Sequence, residues 1–301
     1  MFNAKRVFAL MHEQTIDGMP LNDIVGGGNA RDVGEEWAAF LANQGFLRGG
    51  ARILDIGCGC GRLAAALADS RPDVDYVGID IVPGLIDFCR KNITESVPSF
   101  NFYVVQQESS LYKSFIEDHD IPVFTDDTFK DGYFDLVIAT SLFTHTRRDT
   151  TQAYFSMANR LLRAGGTMLF SCFAMDEHAQ KAIHNRSTHP FQSGKVETAS
   201  DGLVEDRYNG ELSAIGYPAA MLEEMLDAAG FDGIAGFYRG FWRGSAGHSF
   251  QDVVQAPKAL DVPHDFDGSA YLKRHPDVAN GGMAPLFHYK IYGIKERRPL
   301  R

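Results

Sequence analysis

The chain has 301 residues, 45% of them hydrophobic, and a formal net charge of −10. That length buries a full α/β core and leaves room for a small appendage. The acidic balance argues against a large non-specific nucleic-acid surface, which needs clustered Lys and Arg.

Residues 1–50 read as an N-terminal approach, with a flexible turn at Val25-Gly26-Gly27-Gly28 and an amphipathic helix over 31–41. Strands are predicted near 51–57, 75–80, 100–106, 133–139 and 167–173, and helices near 61–69, 84–95 and 149–163. Strands separated by helices imply βαβ crossovers and a parallel sheet. Gly165-Gly166 is expected to end the third helix and launch the fifth strand.

The first strand breaks into a turn with glycine at 57, 59 and 61, then into a helix, so it delivers a ligand to a helix N-terminus. The spacing is G-x-G-x-G, and Arg62 stands where a dinucleotide fingerprint has its third small residue. Asp55, two residues before the first glycine, would repel a pyrophosphate but suits an ammonium group. Asp80 ends the second strand, where a ribose diol can donate to it. Ammonium at one end and ribose at the other describe S-adenosylmethionine. Of the four cysteines, Cys58 and Cys60 read as small turn-fillers without zinc spacing, and Cys89 and Cys172 fall in a helix and a strand. With no secretory signal and no apolar run near the ~20 residues of a membrane span, a reduced, cytoplasmic chain is expected.

Through Leu54-Asp55-Ile56-Gly57-Cys58-Gly59-Cys60-Gly61-Arg62 and Gly78-Ile79-Asp80-Ile81, the chain resembles the class I S-adenosylmethionine-dependent methyltransferases. The resemblance runs over about 25–258. It takes in Ser141-Leu142-Phe143-Thr144-His145, an ending found in a subset of these enzymes, and Gly240-Phe241-Trp242-Arg243-Gly244 with Phe250-Gln251-Asp252. It implies a Rossmann-like, seven-stranded, mostly parallel sheet whose last strand, near 249–256, is antiparallel and pairs in a hairpin with one near 232–239. The implied cofactor residues are Asp55 on the ammonium; Gly57, Cys58, Gly59, Gly61 and Arg62 along the turn; and Asp80 on the ribose. Ile81 would pack on adenine, Gln106 and Gln107 would meet its amino group, and Thr140 and Ser141 follow the fourth strand. In this position the family often has an acid rather than Gln106 and Gln107. His145 is the candidate general base for an O-methylation.

Residues 174–217 interrupt the rhythm and are read as an acceptor cap, carrying His178, His184, His189, Arg186, Arg207 and Tyr208. A helix over 218–229, stopped by Gly230, follows. Asp126, Asp127 and Asp131 lack supporting His spacing and are read as an acidic turn, so no metal is assigned. The methyltransferase domain is taken as 1–258 and a small helical module as 259–301. The module's Tyr271-Leu272, His275-Pro276-Asp277-Val278 and His288-Tyr289 resemble short modules of bacterial surface-polysaccharide proteins, although Arg297 stands where glycine is usual. The expected activity is O-methylation of a small polar acceptor such as a sugar or glycan, with a glycan or protein partner for the module. An S-adenosylmethionine-binding assembly protein and an NAD-dependent dehydrogenase are the rivals.

Overall fold

Apolar side chains alternate across the central strands, and the alternation gives one sheet two cores. Ile53, Tyr76, Phe100 and Phe102 face one side, and Leu54, Ile56, Val77, Ile79 and Phe170 the other. Helices Ala4–Glu13, Ala30–Asn43, Arg62–Ser70 and Pro83–Cys89 cover the first face. Arg148–Leu161 and Ala219–Ala228 cover the second. The computed structural model describes residues 2–71, 73–105, 121–184, 190–191, 196–208, 211–244, 246–247, 249–260, 266–293, 296 and 298–299.

A small hairpin, β1 (Thr15–Ile16) and β2 (Met19–Pro20), precedes the main sheet. The sheet takes β3 (Arg52–Ile56), β4 (Asp75–Asp80), β5 (Phe100–Val105), β6 (Val123–Phe124), β7 (Phe134–Ala139) and β8 (Leu162–Met175). It continues with β9 (Val196–Thr198), β10 (Val204–Tyr208), β11 (Glu211–Pro218), β12 (Gly236–Tyr238) and β13 (Asp252–Pro257). The strand order is β6-β5-β4-β3-β7-β8-β11-β10-β9, with β13 on β8 and β12 on β13. The ladders from β6 through β8 are parallel, and β13 runs antiparallel to β8. This is a Rossmann-like, mostly parallel sheet. Its order reverses between β3 and β7, which places a ligand crevice beyond the carboxyl ends of those two strands.

Among the described residues this sheet has eleven strands rather than the expected seven. Part of the difference lies in 174–217, whose described residues include β9, β10 and β11. β8 overshoots β13, and its last residues, Phe173–Met175, pair in parallel with β11; β10 and β9 then extend the edge. Their strand pattern was hidden because acids occupy buried positions: Glu205 and Asp206 are 4% and 2% exposed, paired with Arg147 and Ser213 respectively. Gly165-Gly166 is also not a helix cap. The helix ends at Leu161 and both glycines lie inside β8, where the register with β7 slips between Phe134 and Leu136. Gly165 takes φ +66°, the left-handed turn that such a bulge uses.

The chain divides into two compact units, residues 1–258 and 259–301. The second has helices Gly268–Arg274, Pro276–Asn280 and Pro285–His288 and a π-turn over Tyr289–Gly293. Tyr271 is its fully buried centre, with its hydroxyl 3.0 Å from His288 Nδ1. Arg298 pairs within the unit with Asp277 (2.6 Å) and Glu296. Among the described residues, no helix is long and apolar enough to cross a membrane.

Candidate functional site

Each element of the crevice is set by a backbone requirement. Gly57, Gly59 and Gly61 take φ +75°, +56° and +80°. At Gly59 a Cβ would stand 2.7 Å from Val25 Cγ1, and at Gly61 2.8 Å from Cys89 Sγ, so only glycine passes without displacing a neighbour. The amides of Gly57 and Cys58 both donate to the Ile79 carbonyl, at 2.8 and 3.1 Å, locking the turn onto the end of β4. There Asp80 accepts from Gly59 N (2.9 Å) on one oxygen and from Val82 N (3.0 Å) on the other. A carboxylate has about four acceptor sites, so both oxygens retain capacity for a diol. Burial raises the Asp80 pKa, while the amides of Val82, Gly59 and Ile81 oppose it. Ile81 is half-buried beside it.

Asp55 lies beneath the turn, 2% exposed. Its Oδ2 accepts from the Tyr76 hydroxyl, and its Oδ1 is buried without a hydrogen-bond partner. Burial pushes its pKa up to about 7, against the lowering pull of the Tyr76 bond. A buried carboxylate oxygen with no partner is costly and suits a cationic ligand group. Arg62 does not supply that cation. Its guanidinium donates to the carbonyls of Gly27 (3.1 Å) and Val25 (3.1 Å), pinning the glycine-rich loop across the turn.

At the end of β7, Thr140 is half-buried and Ser141 sits at φ +58°. For a residue with a Cβ that conformation costs about 1–2 kcal/mol. Its amide donates to Ser171 Oγ (2.7 Å), and both serine hydroxyls donate to Gln251 Oε1, at 3.2 Å from Ser141 and 2.6 Å from Ser171. The triad joins β7, β8 and the start of β13 at the crevice. Sequence reading missed Ser171 and Gln251 as members of the site. The signals were a lone serine inside the apolar run Met168–Phe173 and a glutamine in the segment that carried the resemblance.

The turn from Leu142 to Arg147 is held by Ile215 N donating to Thr144 O (2.8 Å) and by Tyr217 OH donating to Thr146 O (2.6 Å). It presents His145, whose side chain is exposed and whose pKa is lowered from the ordinary histidine value by desolvation. Arg147 then pairs with Glu205 (2.8 Å), and Arg207 with the same acid (2.6 Å). His178 and His184 are exposed on the helix Glu177–His184. Gln106, Gln107, Arg186 and His189 lie outside the described residues. Asp126 and Asp131 both pair with Arg160, at 2.9 Å each.

Residues 53–166 match a family model described as a methyltransferase domain. A malonyl-[acyl-carrier protein] O-methyltransferase of Geobacter sulfurreducens is 24% identical over 200 residues, covering 66% of this chain and 67% of that one. Its counterpart from a Paenibacillus species is 24% identical over 186 residues, covering 61% and 56%. The PH0226 protein of Pyrococcus horikoshii, 17% identical, superposes with a TM-score of 0.51 over 79% of this chain and 94% of its own.

Proposed function

We propose that this chain, an S-adenosylmethionine-dependent methyltransferase, methylates a hydroxyl oxygen of a small polar acceptor, a sugar or glycan first among them. The reading rests on His145: an exposed imidazole on the turn after β7, its pKa shifted below the ordinary histidine value by desolvation. Bound S-adenosylmethionine supplies a methyl group already activated by its sulfonium. The residues present fit that cofactor, since the turn excludes side chains and Asp55 Oδ1 lacks a partner.

In this reading, Asp55 answers the ammonium and Asp80 the ribose diol, Gly57 to Gly61 let the ligand lie on backbone, and Ile81 and Thr140 line the walls. The hydroxyl oxygen is a poor nucleophile until its proton leaves. The neutral His145 ring takes that proton, while polar groups of Ser141, Gln251 and Arg207 hold the acceptor in line. Residues 174–217 complete the acceptor side. The C-terminal unit we read, on its sequence motifs, as a contact module for a glycan or protein.

Labelled methyl transferred from S-adenosylmethionine into a bacterial extract should enter the glycan or small-molecule pool; label confined to protein or RNA would sink the acceptor class. Asp80→Ala should abolish that labelling and weaken cofactor binding ten- to a hundredfold, and unchanged affinity would remove Asp80 from the ribose. His145→Ala should leave cofactor affinity intact and slow turnover by about 10²–10⁴. Wild-type turnover should rise with pH and level off above the His145 pKa, which lies under 6.5.

A second reading, carboxyl O-methylation, is favoured by the named relatives, which are malonyl-[acyl-carrier protein] O-methyltransferases. A carboxylate oxygen needs no base, so under that reading His145→Ala would keep its turnover.

A further inference from the structure

Beside the Ser141–Ser171–Gln251 triad stand two aromatic rings that the fold does not bury. Phe241 is 51% exposed and Phe250 36% exposed, although both are large apolar side chains. Their centroids are 5.5 Å apart at 61°, an edge-to-face pair, and Phe250 also meets the buried Phe173 at 6.0 Å and 87°. The backbone fixes them: Phe241 N donates to Ser249 O (2.9 Å) and Trp242 N to Phe250 O (3.0 Å). Phe241 is thus a held platform, its ring supported on one side and open to solvent.

Gln251 follows Phe250 directly. Its Oε1 accepts from both serine hydroxyls, so the amide is oriented and Nε2 carries its two protons outside the triad, with no hydrogen bond to any described residue. A fixed donor on Gln251, one residue along the chain from the Phe250 ring that meets the open face of Phe241, supplies the apolar wall and placed polar group that small-molecule sites combine. A pyranose ring matches it: its axial C–H face meets the electron-rich ring face, and an edge hydroxyl oxygen accepts from the amide.

We infer that Phe241, Phe250 and Gln251 form the acceptor subsite, and that it takes a pyranose ring stacked on Phe241 with a ring oxygen substituent on Gln251 Nε2. The inference rests on the hydroxyl-methylation reading and names the acceptor's class within it. A planar phenol also stacks on a phenyl ring, but its flat edge offers one oxygen, whereas a pyranoside offers several at the heights an amide can reach.

The test is saturation-transfer NMR on the full chain with S-adenosylhomocysteine, using methyl pyranosides of gluco, manno, galacto and rhamno configuration, and phenol as the competing probe. At least one pyranoside should receive saturation, strongest on one ring face. Phe241→Ala should weaken its Kd tenfold or more with thermal midpoint and S-adenosylhomocysteine affinity unchanged, and Gln251→Glu, which keeps an acceptor for both serine hydroxyls but removes the Nε2 donor, should weaken it as much. Because Phe241 is half exposed, its replacement leaves the fold intact. Saturation of no pyranoside, retention of affinity in both variants, or saturation of phenol alone overturns the inference. Pyranoside binding that needs Phe241, with no labelled methyl entering glycan or small-molecule pools, would keep the subsite and sink the hydroxyl-methylation reading instead.

Discussion

Replacing Asp252 with alanine is expected to cost the fold about 3–5 kcal/mol, the largest stability loss of any substitution considered. Asp252 is fully buried and serves five donors. Its Oδ1 accepts from Gly240 N (2.9 Å) and Arg243 Nε (3.0 Å); its Oδ2 accepts from Ala174 N (3.0 Å), Trp242 Nε1 (3.0 Å) and Arg243 Nη2 (2.8 Å). Removing it leaves three neutral donors unpaired and strands Arg243, itself 2% exposed, with Asp176 at 2.7 Å as its remaining carboxylate. Burial works against the Arg243 charge, and the two acids outweigh it, holding its pKa above the ordinary value. Urea unfolding should show the loss as a lower midpoint at constant slope. The double variant Asp252→Ala, Arg243→Met should fall short of the summed single losses, because it removes the stranded charge along with its partner. A single-variant loss below about 1 kcal/mol would mean that water reaches and solvates the guanidinium. The latch also has a positional consequence, since it clamps the loop that carries Phe241, Phe250 and Gln251 against the end of β8.

The parts of this fold that could be read in advance are those where burial and backbone geometry leave few choices. The run Ile53–Ile56 can only be a strand buried on both faces, and the turn after it needs positive φ at three positions, so strand, turn and helix were all legible. Asp80 was legible for the same reason, as an acid at the end of an apolar strand. The extension of the sheet by β9, β10 and β11 was not, because Glu205 and Asp206 occupy buried positions through an ion pair with Arg147 and a hydrogen bond from Ser213 on the neighbouring strand, and periodicity counts them as exposed. Gly165-Gly166 misled because a helix end and a β-bulge both call for a left-handed glycine. Arg62 sits in the turn's sequence, but its side chain leaves it for carbonyls 35 and 37 residues upstream. Those pairings are tertiary facts. The Trp242-Arg243 segment was noticed as part of a resemblance, and its reason, the Asp252 latch, became visible only with the contacts in place.

Asp55→Asn should separate stability from function by moving them in opposite directions. The Asp55 pKa rises from 3.8 to about 7 on folding, chiefly through burial. The folded state therefore binds more protons than the unfolded state between those values, and stability falls as pH rises through the window. The loss is complete above pH 7 and amounts to about 4 kcal/mol. Asparagine keeps an acceptor for the Tyr76 hydroxyl and carries no charge, so that cost disappears. Its amide inherits the unpartnered position of Oδ1, which returns about 1–3 kcal/mol. The net expectation is a variant more stable than the parent by roughly 1–3 kcal/mol at pH 8 in urea unfolding and less stable by about the same amount near pH 4, where the charge cost is absent and the amide's cost remains. A variant less stable than the parent at pH 8 would show that folding does not raise the Asp55 pKa, its charge being solvated or paired in the folded state. Cofactor binding should go the other way. In the role proposed for it, the ionised carboxylate answers the ligand's ammonium, so calorimetry should show affinity for S-adenosylmethionine falling about a hundredfold in the variant. The parent's affinity should weaken as pH drops below about 7, where Asp55 takes up its proton, and this dependence should be absent from the variant. Equal affinity in parent and variant across that range would leave Asp55 as a carboxylate that shapes the turn through Tyr76 and would move the ammonium elsewhere in the crevice.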